Sequence, residues 1–293
     1  MLKINFFLLF YFVLLQSYSQ YDKNFVDIKS TILKGENYSI VRMSRESGKI
    51  KVKYFAARDK RTGKSVPNRF LEWSRNKNII AFSSGTYMTN LNSSIADPKG
   101  ICVDAGIVIN RNLENYDGLV LVYATGGMVA TDIKDGDLLL NHSLNSTKQE
   151  KIDLINDMSA SYKLLNWAEN ERATVFQTHL FVYKNNLKIA ENSSKTIAKR
   201  RFFAACRGED KKIYYYIINL PNESTLLEGV KKAKSYLQEM EGVQEVVYLI
   251  NLDTGAQNIF QVYDAKGNEI NNKNFKGELP VNSAANLLVF YYE

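Results

Sequence analysis

The chain has 293 residues, of which 45% are hydrophobic and 24% charged, with only four prolines and a formal net charge of +7. That is enough apolar material for one large core, and no proline-, glycine- or serine-rich linker divides it. Its cationic residues are scattered, with short pairs at Lys211-Lys212 and Lys231-Lys232. Nucleic-acid binding needs a clustered basic stripe, so no nucleic-acid partner is expected.

Taken in order, the chain opens on Lys3, an apolar run over residues 6–15 and small residues at Ser17 and Ser19. This is the pattern of an export signal over residues 1–20. The run is short for a membrane span, and no later stretch is long and apolar enough. The expectation is a secreted or periplasmic protein without a membrane span, with residues 21–293 as a single domain. Residues 38–43 and 49–55 read as a hairpin about Ser47-Gly48. One helical turn is expected at 70–73 and a strand at 78–82, followed by Ser83-Ser84-Gly85-Thr86-Tyr87. Four short β segments follow, at 101–104, 107–110, 119–123 and 128–132. A helix is expected over 148–170, capped by Thr147 and Glu150, with Ile152, Ile155, Tyr162 and Leu165 on its buried face. Residues 174–183 read as a strand that turns at Asn185-Asn186. Residues 201–206 and 213–220 form a strand pair about Gly208-Glu209-Asp210. Thr225 and Glu228 cap a second helix, with Leu226, Val230, Leu237 and Met240 on its buried stripe and Gly242 as its stop. A last strand covers 286–292. The pattern is α+β, with mixed β-sheets and two main helices.

Cys102 and Cys206 lie in apolar runs and read as buried free thiols. Two Cys and two His at unrelated spacings are no zinc pattern. Asp97 and Asp104 flank the Gly100 turn without a metal-ligand spacing, so no metal and no cofactor are expected.

Residues 245–260, EVVYLINLDTGAQNIF, form the centre of the functional reading. An apolar strand ends in Asn251-Leu252-Asp253-Thr254-Gly255-Ala256 and a return strand follows. Such a turn places a carboxylate and backbone N–H groups at the mouth of a sheet, which suits a polar or anionic ligand and equally a structural turn.

Several segments together resemble the phosphodiester glycosidase family. IIAFSSGTYM is similar to the family's Asn-Gly-Gly-Tyr-Phe segment, keeping Gly85 and Tyr87. PKGICVDAG resembles its Pro-x-Gly segment, KRRFFAAC its Arg-Thr-Ala-Ile-Gly block, and YLINLDTGAQN its Leu-Asp-Gly-Gly-Gly-Ser-Ser turn. The ending PVNSAANLLVFY fits as well. Thr254, Ala256, Gln257 and Asn258 replace glycines and serines, and side chains there restrict close backbone approach to a phosphate.

The resemblance implies an exported hydrolase that cleaves a sugar phosphodiester or related glycan linkage. In that chemistry positive charge builds on the sugar ring, and the departing phosphate is already a weak base, so a strong acid is less necessary than in ordinary glycosidases. Asp253 would stabilise the ring cation or attack it. Arg201 would hold the phosphate, with Arg200 in reserve should its neighbour face inward. Backbone donors are expected from Gly85-Thr86 and Thr254-Gly255, and Asn258 completes the substrate contacts. His179 is a candidate proton shuttle, whereas His142 in its polar loop reads as solvated. The partner implied is a glycan or sugar phosphate. The other reading is a catalytically silent glycan-binding or scaffold relative. Asp253-Thr254-Gly255 also matches the aspartic-protease motif, but those enzymes need two such carboxylates and the chain has one copy.

Overall fold

The computed structural model describes residues 21–45, 48–56, 62–89, 97–135, 138–142, 149–191, 193 and 195–293. The expected export signal lies outside them, as does Thr147. In chain order the elements begin with β1 (Val26–Leu33), β2 (Glu36–Ser44), β3 (Ile50–Phe55), helix α1 (Val66–Ser74) and β4 (Asn78–Ser83). Next come β5 (Cys102–Asp104), β6 (Ile107–Asn110), β7 (Gly118–Val122), β8 (Met128–Asp132), β9 (Leu138–Asn141), β10 (Gln149–Ile152) and helix α2 (Ala160–Asn170). The second half holds β11 (Thr174–Thr178), β12 (Leu180–Tyr183), β13 (Asn186–Leu187), β14 (Arg201–Gly208), β15 (Ile213–Asn219) and helix α3 (Leu226–Glu239). The chain closes with β16 (Val243–Leu252), β17 (Phe260–Val262) and β18 (Leu287–Tyr292).

The fold is α+β. A seven-stranded sheet runs β1-β2-β15-β14-β16-β12-β13, a five-stranded sheet β6-β5-β11-β7-β8, and a four-stranded sheet β17-β4-β18-β3. β9 and β10 form a separate ribbon. The β15–α3–β16 crossover joins strands that run the same way, but β14 lies between them. Among the described strands every ladder is therefore antiparallel, and the mixed pairing expected from that crossover does not arise.

Strand alternation assigns the cores. Phe203 and Ala205 face inward toward Tyr54, Ile80 and Phe290. Phe203 stacks on Phe290 at 5.1 Å, joining the seven- and four-stranded sheets, and Tyr54 stacks on Phe176 at 4.3 Å, joining the five-stranded one. On the opposite face, Phe202, Ala204 and Leu249 pack under Val230, Ala233 and Leu237 of α3. α1 covers the four-stranded sheet through Phe70, and α2 covers the five-stranded sheet through Leu164, Leu165 and Trp167. The cap of α3 is as expected: the Glu228 N–H donates to Thr225 Oγ1 at 3.3 Å and the Thr225 N–H to Glu228 Oε2 at 3.1 Å.

Three local expectations change. β2 and β3 are strands, but β2 pairs with β1 and β15 while β3 pairs with β18, so they form no hairpin. Residues 149–152 pair with β9, and α2 starts only at Ala160. Asp153 accepts the N–H groups of Ile155 and Asn156, each at 3.0 Å, and Asp157 accepts that of Ser159 at 2.8 Å. These local side-chain bonds compete with helix hydrogen bonds and delay the helix. Ile155 and Tyr162 are left exposed. β17 does not return along β16 but pairs with β4, so the Asp253 turn hands the chain from one sheet to another.

Candidate active site

The turn after β16 meets the end of β4 and the start of β14. Arg201 lies opposite Leu252 in the β14–β16 ladder, on the same face as Phe203, and its guanidinium enters the inter-sheet core. It donates to Asn258 Oδ1 at 3.0 Å, to the Ile259 carbonyl at 3.3 Å and to Ser83 Oγ at 3.4 Å. The group stacks over the Phe260 ring, 4.1 Å from its centroid. Burial lowers its pKa to about 9, opposed by the charges of Asp253 and Glu278. Three separate stretches are thus pinned together by one cation, with neutral acceptors around it and only 2% of the residue exposed.

Asp253 is buried beside it. Its Oδ1 accepts the Gly255 N–H at 2.8 Å, the hydrogen bond this carboxylate has among the described residues. Burial raises its pKa; the Gly255 bond and the Arg201 charge oppose the rise without cancelling it. A carboxyl held in this way keeps a proton more readily than an ordinary aspartate.

Asn251, two residues earlier, faces the same way as Asp253 by strand alternation. Its side-chain amide donates to the Tyr87 hydroxyl at 2.7 Å, and its backbone N–H donates to the His179 carbonyl at 3.2 Å. Tyr87 already accepts that bond, so its own O–H remains a donor. Burial raises its pKa, as do the charge of Asp253 and then Tyr116, while Arg200 lowers it. His179 lies between β11 and β12, where the chain passes from one sheet to the other. Its ring meets Tyr116 at 4.7 Å and Tyr87 at 5.4 Å, both edge-on, and stacks on Phe181 at 5.7 Å. Burial lowers its pKa against the pull of Asp117. The imidazole is accordingly held toward its neutral form.

Arg200 projects to the side opposite Arg201, toward α3. Its guanidinium donates to the carbonyls of Ser224 at 3.1 Å and Thr196 at 2.6 Å. Its charge is felt by Tyr87. Arg200, Tyr87, Asn251, Asp253 and His179 therefore belong to one neighbourhood, with Arg201 behind it.

The backbone donors expected from Gly85 and Thr86 are already engaged. Both N–H groups donate to Asn286 Oδ1, at 2.7 and 3.1 Å, and Asn286 Nδ2 donates back to the Thr86 carbonyl at 2.9 Å. Glycine is needed at position 85 because a β-carbon would lie 2.7 Å from the Tyr54 ring. The Thr86 hydroxyl donates to the Gln177 carbonyl at 2.7 Å. Gln177 in turn clamps the loop carrying Tyr116. Its Oε1 accepts from Ile101 and Glu114 at 2.9 and 3.0 Å, and its Nε2 donates to the Glu114 and Tyr116 carbonyls, both at 3.2 Å. Two fully buried amides thus set the positions of Tyr87 and Tyr116.

Of the remaining candidates, Thr254 donates through Oγ1 to the Lys199 carbonyl at 2.6 Å. The Gly255 N–H closes the Asp253 turn, and Asn258 is the Arg201 acceptor. Ser84 Oγ donates to the Gln257 carbonyl and accepts the Ile259 N–H, so it stitches the two turns together. Asn251 and Tyr116 were not singled out from the sequence. Asn251 had a signal, as a polar residue near the end of an otherwise apolar strand; Tyr116, in a loop, had none. His142 lies elsewhere, with Nε2 3.7 Å from Glu150 and Nδ1 3.6 Å from Glu171. Among the described residues no three His, Cys, Asp or Glu side chains gather in a way that could hold a metal ion. No helix among them is long and apolar enough to cross a membrane.

No protein-family model matches the chain, and no curated protein matches it. Among solved structures, a hypothetical protein from Synechocystis superposes with a TM-score of 0.47 at 11% identity, over 92% of this chain and 62% of that one. This chain therefore spans less than two thirds of that protein's length. The catalytic domain of zebrafish N-acetylglucosamine-1-phosphodiester alpha-N-acetylglucosaminidase, auto-inhibited by its pro-peptide, gives a TM-score of 0.45 at 11% identity, over 92% of this chain and 82% of that one. These likenesses concern the course of the chain and carry nothing about its chemistry.

Proposed function

We propose that the chain is an exported hydrolase of the phosphodiester-glycosidase type, acting on a sugar phosphodiester or a related glycan linkage. The observation that carries this reading is the gathering of Asp253, the Asn251–Tyr87 pair and His179 beside the start of β14. The motif resemblance of the same segments supports it. In the proposed reaction the sugar C1–O bond breaks and the phosphate oxygen leaves with the bonding pair. Asp253, in its ionised form, stabilises the positive charge on the ring or bonds to C1. The Tyr87 O–H donates a hydrogen bond to the departing or ring oxygen, held in place by the Asn251 amide. Neutral His179 accepts a proton from the incoming water. The phosphate-holding role passes from Arg201, shut in the inter-sheet core, to Arg200, which is half-buried on the other side and keeps guanidinium hydrogens beyond those given to Ser224 and Thr196.

The test is release of free sugar from a sugar-1-phosphodiester, with and without chelator. Asp253→Asn should lower the rate by at least about a hundredfold, as loss of a main electrostatic group does, while the melting temperature does not fall. Equal turnover by the wild type and Asp253→Asn would overturn the assignment. The second reading, a silent glycan-binding relative, is favoured by the side chains at Thr254 and Ala256. It predicts saturable sugar binding without turnover in either protein.

A further inference from the structure

A concavity that Asp253 does not line lies between α1 and residues 276–281, over the β17–β4 side of the four-stranded sheet. Its volume is about 600 Å³, within the range of small-molecule sites. The floor is apolar and aromatic, formed by Ile79, Phe82 and Tyr263. Leu71 of α1 lines one wall and is 46% exposed; Leu279 lines the other.

The charges around this groove are unevenly paired. Lys77 pairs with Glu293 at 3.2 Å and Glu278 with Lys199 at 2.5 Å. Arg75 and Lys276 also line the groove, and neither has a carboxylate within 4.0 Å among the described residues. Of the two acids that line it, Glu269 has no cation within 4.0 Å among the described residues, and it sits at the Tyr263 end through the Tyr263–Glu269 bridge. Two cations without an ion pair within 4.0 Å, one of them also near Glu72, against one such acid favour an anionic head group.

The sheet edge in the groove is closed to a peptide strand. The Gly277 N–H donates to the Phe260 carbonyl at 2.7 Å and the Ile270 N–H to the Val262 carbonyl at 2.9 Å. The Gln261–Lys276 bridge lies between them. A docked strand needs free main-chain partners, and here they are taken by the chain itself. The groove offers rings, aliphatic walls and cations, with little backbone.

We infer that this groove binds an amphiphile with a hydrocarbon body and a single anionic head group, the tail over Ile79, Phe82 and Tyr263 and the head toward Arg75 and Lys276. The probe is dodecanoate below its micelle concentration, titrated calorimetrically into the full chain, with dodecyltrimethylammonium as the cation of equal tail. One dodecanoate per chain is expected, bound at least about tenfold more tightly than the cation. Arg75→Glu combined with Lys276→Glu, both exposed positions, should reverse that preference. Leu71→Ser, which removes apolar wall without adding charge, should weaken both probes, with circular dichroism melts checking that each variant folds. Asp253→Asn should leave binding unchanged, which separates this site from the proposed catalytic one. Absence of saturable binding, equal affinity for the two head groups, or indifference to charge reversal would each overturn the inference. So would sedimentation showing that a second copy of the chain fills the groove.

Discussion

Asp253 and Arg201 both sit where burial works against their charge, and the two differ in what offsets it. The Asp253 pKa is raised in the fold. Above the ordinary carboxylate range the unfolded chain ionises freely while the folded one resists, so this residue subtracts stability at neutral pH and nothing in strong acid. Asp253→Asn keeps an acceptor for the Gly255 N–H and should raise the melting temperature at pH 7 by a few degrees, with the gain vanishing in strong acid; calorimetric melts across pH measure it. His179 has the opposite charge type and a lowered pKa. It should cost stability as pH falls below the ordinary imidazole range, because the unfolded chain takes up a proton that the fold disfavours. His179→Gln should flatten that acid limb of a stability-against-pH curve. Arg201→Ala leaves acceptors on Ser83, Asn258 and Ile259 without their donor, at roughly 1–3 kcal/mol each, partly offset by no longer burying a charge. A net loss of about 2–4 kcal/mol in urea unfolding is expected. Pure loss of activity with full stability would instead give Arg201 a direct role on substrate.

At the scale of elements, the site is set by turns that other strands hold. Asn286, just before β18, fixes the Gly85-Thr86 turn, and Gln177 of β11 fixes the loop carrying Tyr116. Asn286→Ala strips two buried N–H groups and one carbonyl of their partner, so about 3 kcal/mol should be lost. Gly85→Ala forces a methyl group against Tyr54 and should cost about 1–3 kcal/mol through overpacking. Both should lower any sugar-releasing activity more than their stability loss explains, because both displace Tyr87. Activity that stays constant per folded molecule would separate the turn from the site. Helix α3 was fully legible in advance, since its Thr225 and Glu228 signals are local and nothing competes with them. Residues 149–159 were not, because the same apolar spacing serves a helix face or a strand pairing with β9, and the Asp153 and Asp157 turns decide between them.

Across the whole molecule, the two cysteines report on the cores. Cys206 lies in the core under α3 and Cys102 in the inter-sheet core; both are free and buried. Burial also pushes their pKa values up. Neither should react with a thiol reagent until unfolding, when both should appear in one step, and the melting temperature should ignore added reductant. A reductant-sensitive melt would contradict this arrangement. The residue types alone determined the α+β character, most strand positions, the α3 cap and the prominence of the Asp253 turn, because these rest on short-range alternation, capping and turn chemistry. Only tertiary structure decided which strands pair beyond the local β14–β15 and β12–β13 turns, that β17 leaves β16 for β4, and that Arg201 turns inward while Arg200 projects toward α3. Adjacent residues on a strand look alike in a list, and only the placement of a second sheet says which of the two faces is the core.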